Sequence, residues 1–174
     1  IETHIAVPNH ALSASTVFQL LTSDGCRGLS LFLTSSDHEE TTADLVLVLS
    51  SGSQLGSPPA FRGAPGSSAT VIKDLWVSAT IKKDTFHHLA FVYDRGFYEK
   101  FSIYLDGKFL TSSLKQFELT QSLDLSNLNF YLGTGSSHYT SFPGCNGFFE
   151  PTKTFSGSLD EFRIWNRPLT KELI

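Results

Sequence analysis

The stretch Ser156-Gly-Ser-Leu-Asp-Glu-Phe-Arg-Ile-Trp-Asn-Arg-Pro-Leu-Thr-Lys-Glu-Leu-Ile174 decides the fold. Phe162 and Ile164 alternate with Arg163 and Trp165, the period of two that a half-buried strand requires. Leu159 has the opposite parity to Phe162. Burying both therefore demands one extra residue near Asp160 and Glu161, which is what a β-bulge supplies. Pro168 stops the strand, and Thr170 stands where the N-cap of a short terminal turn belongs.

Working outward, a second block reads Phe86-His-His-Leu-Ala-Phe-Val-Tyr-Asp94 and then Phe101-Ser-Ile-Tyr-Leu-Asp-Gly-Lys108. Asp106-Gly107 is a hairpin signal, because a two-residue primed turn needs positive φ and these residues tolerate it. In the first strand Phe86, His88, Ala90 and Val92 share one face while His87, Leu89, Phe91 and Tyr93 share the other. Both faces are largely apolar, so this strand belongs inside a sandwich. Phe101, Ile103, Leu105, Phe162 and Ile164 are the expected inward residues.

These two blocks resemble the laminin-G-like and pentraxin-like domains, which are concanavalin A-like jelly rolls. The matching features are the Gly-x-Leu-Asp-Glu-x-Arg-Ile-Trp-Asn-Arg-x-Leu run from Gly157, the closing Thr-x-Glu-Leu from Thr170, and the paired strands with their Asp-Gly turn. The likeness covers residues 70–174 well and the N-terminal part weakly, since the family's Phe-Thr-x-Ser-x-Trp strand has no counterpart between Leu12 and Thr16. The resemblance implies an all-β, two-sheet antiparallel jelly-roll sandwich with one short C-terminal helical turn. Residues 1–174 read as a single domain, excised from a larger polypeptide.

Composition fits that reading. A chain of 174 residues suffices for one domain with a substantial core. A formal charge of −4 without any run of Lys or Arg argues against nucleic acid or an anionic membrane surface, and no apolar run is long enough to span a bilayer. The expected partner is a glycan or a protein. Cys26 and Cys145 are one pair at most, and two unpaired thiols are the expectation. The compartment stays open, with an extracellular one favoured over a cytoplasmic one.

Along the chain, strands are expected at 1–7, 16–21, 28–34, 44–50, 70–73, 76–81 and 127–133, the last with Leu128, Phe130 and Leu132 on one side. Residues 51–68 hold seven Gly and Pro among serines and read as a long loop. Residues 134–155 lack any regular period and read as a second long loop, of a length that is usually functional.

The candidate chemistry is recognition. Pentraxin-like relatives carry carboxylate and amide calcium ligands after the strand that 127–133 resembles, but here the run is Thr134-Gly-Ser-Ser-His138, so no metal site is carried over. Asp37, His38, Glu39, Glu40 and Asp44 read as a solvated hairpin tip. His87 and His88 face opposite ways and read as structural, and no cofactor motif is present. Jelly-roll glucanases need two carboxylates about 5–10 Å apart across a cleft. Their Glu-x-Asp-x-x-Glu signature is absent, so no enzyme activity is expected. That leaves His138, Tyr139, Phe142 and Asn146 as the candidate ligand-binding residues, aromatic and amide groups suited to a sugar face or a protein partner. Phe148, Phe149 and Phe155 are expected to fold back over the core. A structural reading competes: a scaffold interaction domain of a large intracellular protein of the BEACH type, without a sugar site.

Overall fold

Runs of Val, Leu, Ile and Phe broken by turn residues fold into thirteen strands in the computed structural model, which describes residues 1–11, 13–23, 25, 27–35, 40–51, 74–94, 100–114, 127–139, 148–170 and 173–174. One sheet contains β1 (Glu2–Ala6), β6 (Phe86–Asp94), β7 (Lys100–Leu105), β8 (Lys108–Leu114) and β13 (Ser158–Arg163), in the order β13-β1-β6-β7-β8 and antiparallel throughout. The other is built on the antiparallel meander β2 (Ser15–Leu21), β3 (Arg27–Ser35), β4 (Thr42–Ser51) and β5 (Asp74–Lys82). The free edge of β2 takes two short strands. β12 (Lys153–Thr154) runs parallel to its start, and β9 (Asn129–Leu132) runs antiparallel to its end. A separate ribbon pairs β10 (His138–Tyr139) with β11 (Phe148–Phe149). No helix is present among the described residues. At the C-terminus the Leu173 N–H donates to the Thr170 carbonyl, and residues 171–172 lie outside the described set.

The two sheets face each other across one apolar layer. Leu31, Leu33, Leu45, Leu47, Val77 and Ile81 of the meander pack with Ile5, Leu89, Phe91, Phe101 and Ile103 of the opposite sheet. The alternation of β6 is as the sequence predicts: Leu89 and Phe91 face this core, while Phe86 lies on the exposed face. The hairpin β7–β8 turns through Asp106 at φ 51 and Gly107 at φ 73, the two positive values of a type I′ turn.

The predicted bulge in β13 is present. Glu2 pairs with Arg163 and His4 with Asp160, so two residues of β13 oppose Thr3 alone, and Glu161 adopts φ 50. Asp160 helps hold that shape, accepting the Glu161 N–H on Oδ1 at 2.8 Å and the Thr3 hydroxyl on its carbonyl at 3.0 Å. Leu159 and Phe162 consequently both pack against the core. Gly157, the glycine of the closing motif, is required by space: a Cβ there would collide with the Phe155 ring and the Ala6 carbonyl oxygen.

One expectation needs correction. Ile164 is 55% exposed, because β13 ends at Arg163 and the chain beyond it leaves the ladder. In β9 all four residues are exposed, Phe130 and Leu132 included, since the strand sits at a sheet edge with β2 as its ladder partner. The long loops and cysteines expected from sequence fall largely elsewhere: residues 52–73, Cys26 and Cys145 lie outside the described set.

Candidate functional site

The described parts of this segment, residues 134–139 and 148–155, continue from β9 and, through Ser136, His138 and Phe149, lie against the outer face of the meander, the side away from the main core. That face carries Thr16, Gln19, Ser30, Phe32, Val46, Val48 and Ser50, which alternate with the core-facing leucines of the same strands.

Gln19 holds the start of the segment. Its Nε2 donates to the Ser136 carbonyl at 2.9 Å and to Ser30 Oγ at 3.1 Å, while its Oε1 accepts the Ser136 N–H at 2.9 Å. Gly135 permits this approach, because a Cβ there would come within 3.0 Å of Gln19 Oε1 and of both Thr16 side-chain branches. Two residues on, His138 is inserted between strands, with Nδ1 2.8 Å from Ser30 Oγ and Nε2 2.8 Å from Ser50 Oγ. Either neutral tautomer satisfies these contacts: Ser30 accepts from Gln19 and donates to Nδ1 while Nε2–H donates to Ser50, or Ser30 accepts from both Gln19 and Nδ1–H while the Ser50 hydroxyl donates to Nε2. Phe149, opposite His138 in the ribbon, stacks on Phe32 with ring centroids 3.8 Å apart, and Val46 and Val48 complete a small second core. The ribbon is therefore fastened to the sheet by a polar socket and an apolar one.

This places the candidate residues. His138 is fully buried at 0% exposure, so the ring expected on a ligand surface is instead the ribbon's anchor. The correction has a physical cause: its serine partners come from β3 and β4, far away in sequence. Tyr139 pairs with Phe148 in the ribbon backbone, and Phe142 and Asn146 lie outside the described residues. Phe149 and Phe155 are buried, as expected of capping rings. Sequence reading missed Gln19, Ser30 and Ser50. Their signal was available, since each is a polar residue at an interior strand position flanked by apolar ones, where burial demands a partner.

The other chemistry-bearing residues are engaged structurally. His87 and His88 do face opposite ways. His87 Nδ1 is 2.9 Å from Asp106 Oδ2, while the His88 ring lies 4.9 Å from that of His4 on the outer face, with Nε2 3.8 Å from Glu2 Oε2. Asp106 also accepts the His88 N–H on Oδ1 at 2.9 Å. Partial burial pushes the Asp106 carboxyl up, but the His87 ring and His88 N–H outweigh it and hold the group below its ordinary value. Arg163 bridges Glu2 at 3.0 Å and Glu161 at 3.2 Å, so the carboxylates at the bulge serve β13. Asp44 accepts the Thr80 hydroxyl at 2.6 Å, and residues 36–39 lie outside the described set. Among the described residues no group of three or more His, Cys, Asp and Glu is arranged to hold a metal ion.

Two antiparallel sheets packed face to face across one apolar layer define the all-β sandwich class of domain. The comparison with protein families agrees: a laminin G family model described as the concanavalin A-like lectin/glucanases superfamily matches residues 5–174. The chain belongs to that superfamily, which holds binding domains and glucanases alike. Neither curated proteins nor solved structures gave a match.

Proposed function

We propose that this chain is a non-catalytic binding module that engages a glycan or protein partner through the rim segment 134–155, with Tyr139, Phe142 and Asn146 as the contacting residues. The observation that carries this reading is the double fastening of the ribbon, by His138 on Ser30 and Ser50 and by Phe149 on Phe32. A recognition segment gains affinity when its base is fixed before the ligand arrives, because less ordering entropy is lost on binding. In this proposal His138 is a positioning residue: it sets the ribbon without touching the ligand.

Aromatic and amide side chains interleaved with Ser and Thr, as in Tyr139-Thr-Ser-Phe-Pro-Gly-Cys-Asn146, suit the flat apolar face and hydroxyl rim of a sugar, or the centre of a protein interface. A non-catalytic role is supported by the engagement of Asp160 and Glu161 in the bulge. A glycan array probed with the purified chain, with and without EDTA, tests the reading. Saturable signal on a related set of glycans, unchanged by the chelator, is the expected result. An empty array followed by specific retention of a protein ligand would select the protein arm.

A further inference from the structure

At one end of the sandwich a cavity of about 450 Å³ opens between the sheets. Its floor is the margin of the main core, formed by Leu20, Leu29, Leu49, Phe91 and Phe101. Its outer wall is the chain after β13, where Ile164, Trp165 and Leu169 line the space with Arg167 beside them. The volume falls in the range of about 300–1,000 Å³ typical of small-molecule sites, and the lining is predominantly apolar, as such sites are.

Two further observations give the cavity an occupant. First, Ile164 and Trp165 line it yet remain 55% and 44% exposed, so among the described residues these large apolar side chains are left partly uncovered at its mouth. An apolar guest would bury them. Second, the charges are unbalanced. The Glu2 carboxylate that reaches the lining is already neutralised by Arg163 at 3.0 Å. Arg167 makes no ion pair or hydrogen bond among the described residues. A guanidinium at the rim of an apolar space complements a carboxylate on an apolar body, which it can take in a bidentate hydrogen-bonded pair.

We infer that this cavity is a second binding site, distinct from the ribbon, for a small apolar carboxylate of the acyl-chain type, its chain lying between Phe91, Leu29 and Trp165 and its carboxylate on Arg167. The site does not depend on the ribbon: its walls come from β1, β2, β3, β4, β6, β7 and the C-terminal segment.

The test uses cis-parinarate, a polyene carboxylate that becomes fluorescent in a dry apolar site, with decanoate, decanol and decylamine as competitors. A saturable rise is expected, displaced by decanoate in preference to decylamine. Arg167→Gln should weaken decanoate by about tenfold, the loss of one charge-assisted pair, and leave decanol unchanged. Trp165→Ala, at an exposed position that should not disturb folding, should weaken all three competitors. Absence of a saturable rise, or a rise indifferent to Trp165→Ala, would overturn the site. A decanoate affinity untouched by Arg167→Gln would overturn the assignment of the carboxylate.

Discussion

Leu159 and Phe162 pack against the same core although they stand three apart on a strand, and Glu161 at φ 50 is the residue that makes this possible. A left-handed conformation costs an L-residue roughly 1–2 kcal/mol, and a β-branched one more. Glu161→Gly should therefore be neutral or stabilising, because its exposed pairs with Arg163 and His4 contribute little. Glu161→Val should destabilise the native protein and lie about 1–2 kcal/mol or more below the Gly variant. Urea denaturation of the two variants measures the difference, and equal stabilities would remove the bulge from the account.

The turn at Asp106 makes a pH prediction. Its folded-state pKa is depressed, so the stabilisation is fully present above the unfolded value of 3.8 and is lost as pH falls through the lower folded value. Asp106→Asn keeps a residue that tolerates positive φ while removing the charge. Wild type should melt higher than this variant near neutral pH, and the gap should close between about pH 5 and about pH 2. Thermal melts across that interval provide the check.

Two isoleucines near in type and opposite in place separate core from margin. Ile103 is 1% exposed within the inter-sheet layer, and Ile103→Ala should cost about 2–5 kcal/mol. Ile164, outside the ladder, should lose no more than about 0.5 kcal/mol on the same change. Comparable losses at both sites, measured by denaturant unfolding, would contradict the placement of the chain after β13.

These residues show what a single sequence discloses. The Asp106-Gly107 turn was legible because turn chemistry is local, and the bulge was legible because the parity of Leu159 and Phe162 can be counted. The sandwich followed from strands apolar on both faces. Ile164 misled because its alternation continues past Arg163, whereas the ladder stops there, and nothing local marks the point. The burial of His138 was illegible for another reason: its environment is made by Ser30 and Ser50, brought together only by the pairing of β3 with β4. The candidate segment was recognisable from its length and aromatic content. Within it, the buried His138 was not distinguishable from the residues proposed as contacts.

His138 should behave as a structural anchor. His138→Ala leaves two buried serine hydroxyls short of a partner and opens a cavity, so a loss of about 2–4 kcal/mol is expected. In a double-mutant cycle with Ser50→Ala the two losses should be less than additive, since they remove one contact. Additive losses would mean that the 2.8 Å pair contributes nothing.

The most direct test of recognition through residues 134–155 compares wild type with the Tyr139→Ala, Phe142→Ala double variant, binding to the strongest array glycan or retained protein and thermal stability being measured on the same samples. Binding should weaken by about 2 kcal/mol or more, the loss expected of hot-spot aromatics, with the melting temperature nearly unchanged. Binding retained in full, or a fold that collapses under the double substitution, would contradict recognition through this segment.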